Sequence, residues 1–329
     1  MTLRTPICDL FGIEYPIFLA GMGGVAYAEV CAAVSEAGGY GTLGMATASP
    51  EEIRRQMQAV RARTDKPFGV DLLAALPDQV MAAIDIIIGE GASSFIAGLG
   101  VPGPVIERCH KAGLKVVSMC GKVQHAVRAE EAGCDVVVAQ GTEAGGHTGL
   151  VAGIALIPQI VDAVKIPVLA AGAIVDGRGL AAALSFGAAG IWMGTRFIAS
   201  TEARASADYK AAIVDAGSAD TAITRCYSGK PMRVISNPYV DDWARRPHEL
   251  RPFPEQMMLS AQEGLLGFAF DEHTDRARTC MPAGQGVGGI HEVLPCAEII
   301  RRTMREAEET IARLGRLAAP APESTACAS

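Results

Sequence analysis

The residues best suited to chemistry in this 329-residue chain lie in one short run, Gln140-Gly141-Thr142-Glu143-Ala144-Gly145-Gly146-His147-Thr148-Gly149. Imidazole titrates near neutral pH, so a histidine held between glycines suits a general base or an orienting hydrogen-bond donor. A histidine that only orders its own loop, or one that ligates a metal, is the plainer alternative for His147. No metal is expected, because His110 and His125 fall in segments of helical pattern and no second ligand shares the run. Gln140 and Asp71 each stand near the end of an apolar stretch and could aim a polar group at a flat heterocycle, although ordinary loop hydrogen bonding suits Asp71 almost as well. Met22 could offer such a ring a backbone N–H and an apolar surface, or could belong to the core. The chain shows no Ser/His/Asp triad, phosphate-loop motif or paired-carboxylate arrangement.

Glycine supplies the second signal. Gly21-Met22-Gly23-Gly24, Gly141 with Gly145-Gly146, Gly172-Ala173 and Gly194-Thr195 each follow an apolar run. Missing side chains let a flat or phosphorylated ligand approach the backbone, but a tight turn also selects glycine. Gly172-Ala173 and Gly194-Thr195 are more specific, since they follow the last two of eight expected strands, where barrels of parallel strands bind phosphate on backbone N–H groups. The run from Gly21 to Ala26 departs from GxGxxG spacing, and no acidic residue closes the next strand, so a nicotinamide-binding domain of the usual doubly wound kind is not expected.

The elements that must position these residues repeat. Strand-like runs are expected at Ile17 to Ala20, Tyr40 to Leu43, Phe68 to Leu72, Ser94 to Gly98, Lys115 to Met119, Val136 to Ala139, Val168 to Ala171 and Gly190 to Met193. Their spacing of about 25 residues holds one strand, one helix and two short loops. Ser49-Pro50-Glu51-Glu52 opens a helix with a cap, a first-turn proline and acidic residues; Pro77-Asp78 and Pro104 open two more. Ala112-Gly113 and Ala132-Gly133 end helices just before strands. Eight such units predict an α/β fold, a (β/α)8 TIM barrel, with a doubly wound sheet as the alternative.

Texture changes after residue 218, where Pro231, Asn237-Pro238, Trp243, Pro247 and Pro252 crowd together. Residues 219–283 are therefore expected to form an inserted lid, with 1–218 and 284–317 as the barrel and 318–329 as a mobile tail. The turn Gly284-Gln285-Gly286 would lead into a charged helix, Val293 to Leu317, packed on the barrel.

Composition excludes several classes. Half of the residues are hydrophobic and a fifth are charged, which is enough apolar content for a core. A net charge of −7 without a dense basic cluster argues against nucleic acid. The longest uncharged stretch, Ala144 to Val161, is broken by glycine and Pro158, so no membrane span is expected. The first residues lack an apolar targeting core, and nine cysteines without CxxC spacing read as reduced, buried thiols, so the cytoplasm is the expected location.

From Ile7 to about Arg313 the sequence resembles the nitronate monooxygenase family, FMN-dependent barrels formerly called 2-nitropropane dioxygenases. The motifs that carry this are Ala20-Gly21-Met22-Gly23-Gly24, Phe68-Gly69-Val70-Asp71-Leu72, the Ala139 to Gly149 run, Ala170-Ala171-Gly172-Ala173-Ile174, Met193-Gly194-Thr195-Arg196-Phe197 and Ala283-Gly284-Gln285-Gly286. The resemblance implies FMN contacts from Gly21, Met22, Gly23, Asp71, Gln140, Gly145, Gly146, Gly172, Ala173, Trp192, Met193, Gly194, Thr195, Gln285 and Gly286, with His147 as the catalytic histidine. Asp71 stands where the family usually has Asn, Ala173 replaces the second Gly of a pair, and Trp192 occupies a position that is often Gln.

The implied activity is oxidation of alkyl nitronates with O2 to carbonyl compounds and nitrite. The alternative is an FMN-dependent NAD(P)H enoyl-thioester reductase or a related NAD(P)H oxidoreductase, which shares fold and loops. A non-catalytic phosphate-ligand sensor is a third reading. In either enzyme the partners are a small molecule, nitronate or enoyl thioester, with O2 or NAD(P)H. Lys230, Arg233 and Arg245-Arg246 could neutralise a nitronate or the phosphates of a CoA-like carrier, although solvated surface charge is the plainer reading.

Overall fold

The computed structural model describes residues 3–46, 48–73, 77–98, 100–266 and 274–318. The expected tail, residues 319–329 of it, lies outside the described residues.

Eight parallel strands form the main sheet: β1 Ile17–Leu19, β2 Gly41–Gly44, β3 Phe68–Leu73, β4 Ser94–Gly98, β5 Lys115–Cys120, β6 Val136–Gln140, then β8 Val168–Ala171 and β9 Gly190–Met193 after a two-residue strand, β7 Gly146–His147. Their order is β1-β9-β8-β6-β5-β4-β3-β2, and a parallel bridge from Phe18 to Tyr40 joins the two ends. The sheet is thus a closed barrel, as the eight repeated units predict. Observed strand limits differ from those read in the sequence by at most a residue at either end.

Period-two alternation sorts the side chains. Phe18, Tyr40, Ile96, Val117, Val138, Leu169 and Trp192 fill the barrel, whereas Ile17, Leu19, Val116, Val137 and Met193 face the surrounding helices. The N-terminal helix Pro6–Phe11 closes one end: Phe11 meets Phe18 and Tyr40 edge-on, with ring centroids 5.1 and 4.8 Å apart.

The helix starts and stops follow local chemistry. Ser49 accepts from the Glu52 amide at 3.2 Å, and Asp176 accepts from Arg178 and Gly179 at the start of the helix Gly177–Ser185. Gly113 and Gly133 take φ of 78° and 99°, the left-handed stops that their positions predict. The final helix begins at Cys296 rather than Val293, directly after Pro295, and runs to Ala318. It crosses the Gly177–Ser185 helix so closely that a side chain at Gly177 would lie 2.2 Å from the Ala307 nitrogen.

A smaller sheet caps one side of the barrel: β10 Thr221–Thr224, β11 Met232–Ile235 and β7, in the order β10-β11-β7, all antiparallel. It draws one strand from the glycine-rich run after β6, where residue types alone predict a loop. Behind it Cys226, Tyr227, Val234, Val240, Trp243, Leu265 and Cys280 form a separate small core. The buried Gln256 amide crosses that core, donating to the Cys226 carbonyl at 2.6 Å. The expected turn at residues 284–286 is a 3-10 helix, Gln285–Gly289. No helix among the described residues is long and apolar enough to cross a membrane.

Candidate active site

The C-terminal ends of the strands build a floor from close backbone contacts. A side chain at Gly21, just beyond β1, would sit 2.3 Å from the Asp71 carboxylate, and one at Gly44 would strike the Met22 backbone at 2.4 Å. The α-face of Gly194, beyond β9, looks onto the Met22 sulfur. Gly21, Met22, Asp71 and Gly194 therefore meet at one mouth, with Gly23 beside them and half-exposed. Trp192 lies one layer deeper, with its indole stacked over Phe18 at 6.4 Å. Met193 turns its side chain to the helical layer, so only its backbone can face a ligand.

The ends of β8 and β9 supply the neighbouring corner. Gly172 has φ of 113°, and Ala173 is held at φ 51°, the left-handed region that costs a residue with a Cβ about 1 kcal/mol. The short helix Thr195–Ile198 begins there, and the first amides of a helix have no acceptor within their own turn. The Thr195 hydroxyl accepts from the Gly284 amide at 3.0 Å. Immediately beyond, the Arg196 guanidinium is buried, donates to the Ala199 and Glu292 carbonyls at 2.7 Å each, and has no carboxylate in hydrogen-bond reach among the described residues. Burial lowers its pKa to about 10, which still leaves a cation at neutral pH. The sequence places this arginine in the motif that follows β9 but does not show that it is buried. Ala173, Gln285 and Gly286 also line an open cleft of about 490 Å³ with Glu143, Asp176 and Arg178, beside the mouth rather than over it.

The opposite wall is made of side chains. Gln140, ending β6, donates to the His147 carbonyl at 2.8 Å, while β7 pairs His147 with Met232 and Gly146 with Arg233. Gly145 packs backbone on backbone against Ala283-Gly284, at 2.7 Å for an added side chain, and the Gln285 amide donates to the Glu143 carbonyl. Gly146 turns the chain with φ of 73°. The His147 ring then reaches Ser228, Nε2 to Oγ at 2.9 Å.

His147 is exposed as a residue, yet its ring is flanked densely enough that partial desolvation, and next the Lys230 charge, hold its pKa below the usual histidine value. The ring is neutral at pH 7. Asp71 is shifted the other way: burial raises its carboxyl well above the usual aspartate value. The carboxyl makes no hydrogen bond among the described residues, whereas the Asp71 backbone carbonyl accepts from the Met45 amide at 2.9 Å.

Of the basic residues expected to face an anion, only Lys230 lies by the histidine, its ammonium 4.0 Å from the centroid of Phe253. Arg233 is buried in β11 and donates to the Thr142 carbonyl and Thr221 hydroxyl, which makes it a brace for the loop. Arg246 pairs with Asp242 and Glu249 on the surface. Ser228 carries no signal in the sequence, and Glu143 stands in the histidine run without a role assigned to it. Glu143 caps the helix Gly153–Ala163 through the Gly153 amide, at 2.9 and 3.0 Å.

A profile of the nitronate monooxygenase family matches residues 4–85 and 78–306. The chain belongs to that family. It is 41% identical over 244 residues, 73% of this chain and 68% of the relative, to a (3aS,4S,5R,7aS)-5-hydroxy-7a-methyl-1-oxo-octahydro-1H-indene-4-carboxyl-CoA dehydrogenase of Mycobacterium tuberculosis. It is 34% identical to a probable nitronate monooxygenase of Staphylococcus saprophyticus, across 79% of this chain and 86% of that one. Among solved structures, FabK from Thermotoga maritima superposes with a TM-score of 0.87 at 35% identity, covering 96% of this chain and all of that one. The protein is accordingly an enzyme, an FMN-dependent oxidoreductase by its family. The corner by Thr195 fits the phosphate of such a group, because it joins the first amides of a helix to a buried cation.

Proposed function

We propose that this enzyme is an NAD(P)H-linked oxidoreductase of a CoA-type thioester, such as an enoyl thioester. The observation that carries the reading is the 41% identity, over nearly three quarters of the chain, to a relative named for a carboxyl-CoA substrate. The exposed setting of His147 supports it, because a thioester on a long carrier needs a mouth that leaves the carrier outside. Oxidation of alkyl nitronates by O2 is the second reading, favoured by the family profile and the staphylococcal relative.

In this reading the FMN phosphate lies between Gly172-Ala173 and Gly194-Thr195, backed by Arg196. Gly21, Met22 and Gly23 pass along the ring, and Asp71 and Gln140 offer it polar atoms. Gly145, Gly146, Gln285 and Gly286 close the side, and Trp192 and Met193 contribute from below. Bound FMN supplies reversible hydride transfer between nicotinamide and substrate.

His147 holds a neutral imidazole beside the thioester, where it can move a proton at the carbon next to the thioester carbonyl. Lys230 offsets the negative charge that enolate character places on that oxygen. Residues 219–283 act as the lid over this wall. The described cysteines are all free thiols, in keeping with a cytoplasmic enzyme.

Anaerobic mixing tests the choice. Bleaching of the flavin by NADH or NADPH, and its return on adding an enoyl-CoA, is the expected result. Reduction by an alkyl nitronate but by neither nicotinamide would replace this reading with the second one.

A further inference from the structure

We infer that Ser228 is a positioning residue that fixes the tautomer of His147, placing the proton on Nε2 and leaving Nδ1 as the basic nitrogen offered to the substrate. The inference rests on the reading of His147 as the group that meets the substrate.

Ser228 Oγ lies 2.9 Å from His147 Nε2 and has a single proton to give. The Lys230 carbonyl accepts that proton at 3.2 Å, while the Lys230 amide donates to the same oxygen at 3.3 Å. A hydroxyl whose one proton goes to the Lys230 carbonyl accepts from the imidazole, which places the hydrogen on Nε2. Nδ1 makes no hydrogen bond among the described residues.

The turn that holds Ser228 is built to stay in place. Gly229 adopts φ of 80° with its α-carbon pressed on the Pro252-Phe253 backbone, where an added side chain would lie 2.6 Å from the Phe253 nitrogen. Arg225 ties the turn from both sides: its carbonyl accepts from the Gly229 amide at 2.8 Å, and its Nε donates to the Gly229 carbonyl at 2.9 Å. Ser228 itself is only 3% exposed. The histidine is pinned separately, through its carbonyl by Gln140 and through β7 by Met232. The backbone that carries the ring and the turn that carries the hydroxyl thus belong to two separate supports, 81 positions apart in sequence.

Nitrogen NMR of histidine-labelled FMN-loaded protein at pH 8, with His147 assigned by its loss in His147→Asn, reads the tautomer directly. The expected spectrum shows Nε2 protonated and Nδ1 unprotonated in the wild type, and a mixture of the two in Ser228→Ala. Ser228→Thr, which keeps the hydroxyl, should restore the single tautomer. In the substrate half-reaction Ser228→Ala should lose about tenfold or more in kcat with KM changed less than about twofold. A wild-type spectrum with the proton on Nδ1 would overturn the assignment without any variant, and so would a Ser228→Ala spectrum identical to wild type. If His147→Asn retains full turnover while the tautomer is as described, the catalytic reading fails and the role of Ser228 in setting the tautomer stands.

Discussion

The two walls of the mouth are made in opposite ways. The floor is built on glycines, Gly21, Gly44 and Gly194, packed against Asp71 and Met22, and these glycines stand at strand ends that recur about every 25 residues. The histidine wall is a set of side chains brought together across the chain: Gln140 to His147, His147 to Ser228, Arg233 to Thr142. Gly21 and Gly44 leave no room for an added side chain, whereas a wall of hydrogen bonds tolerates no subtraction. The difference also separates two tasks, since holding a cofactor needs space and fixed amides, and moving protons needs a particular donor at a particular angle.

That contrast can be broken most severely on the floor. Gly194→Asp puts a carboxylate at the corner assigned to the FMN phosphate, and flavin retained on purification should fall more than about tenfold through crowding and charge repulsion. Retained flavin absorbance in this variant would move the phosphate elsewhere.

On the opposite wall the expected loss is in chemistry alone. His147→Asn should keep its flavin and remain reducible by NAD(P)H, but slow the thioester half-reaction by about a hundredfold. Under the nitronate reading the same variant loses neutral nitroalkanes and keeps appreciable turnover of preformed nitronates. Stopped-flow absorbance on both substrates separates the two. Because desolvation and Lys230 lower the His147 pKa, the acid limb of the half-reaction should fall below the usual histidine range, near 6.5. Lys230→Gln should move that limb upward.

Asp71 sharpens the comparison from inside the floor. Its folded-state pKa is raised, so its ionisation opposes folding: stability is lost as pH rises from the unfolded aspartate value, about 4, towards the folded one. Asp71→Asn removes that loss. The variant should melt above wild type at pH 8, with the gap closing as pH falls to about 4, and a gap independent of pH would rule out this cause.

The smallest effect is expected at Ala173. Replacing it by Gly relieves the left-handed strain but adds freedom to the unfolded chain, so the net change should stay within about 1 kcal/mol. A shift of several degrees in Tm would show that the methyl makes contacts in addition to its backbone cost.

These walls were not equally legible. Alternating apolar strands and capped helices report the barrel locally, because each unit buries its own face and carries its own stops, as at Ser49 and Gly113. Glycines at strand ends report the floor for the same reason. The role of Arg233 misled, since an arginine in a proline-rich stretch reads as solvated until β11 buries it against the Thr142 carbonyl.

By itself the sequence determined the eight-unit barrel, the strand-end glycines and the one histidine worth testing, because all three depend on residue types within a few positions of one another. The tertiary structure alone decided that His147 lies in a strand rather than a free loop, that Ser228 faces it, and that Arg196 is buried behind Thr195 on two backbone carbonyls. Those facts rest on contacts between residues far apart in the chain. No periodicity or local propensity records such contacts, because only the closed barrel and the sheet laid across its mouth bring the partners within hydrogen-bond reach.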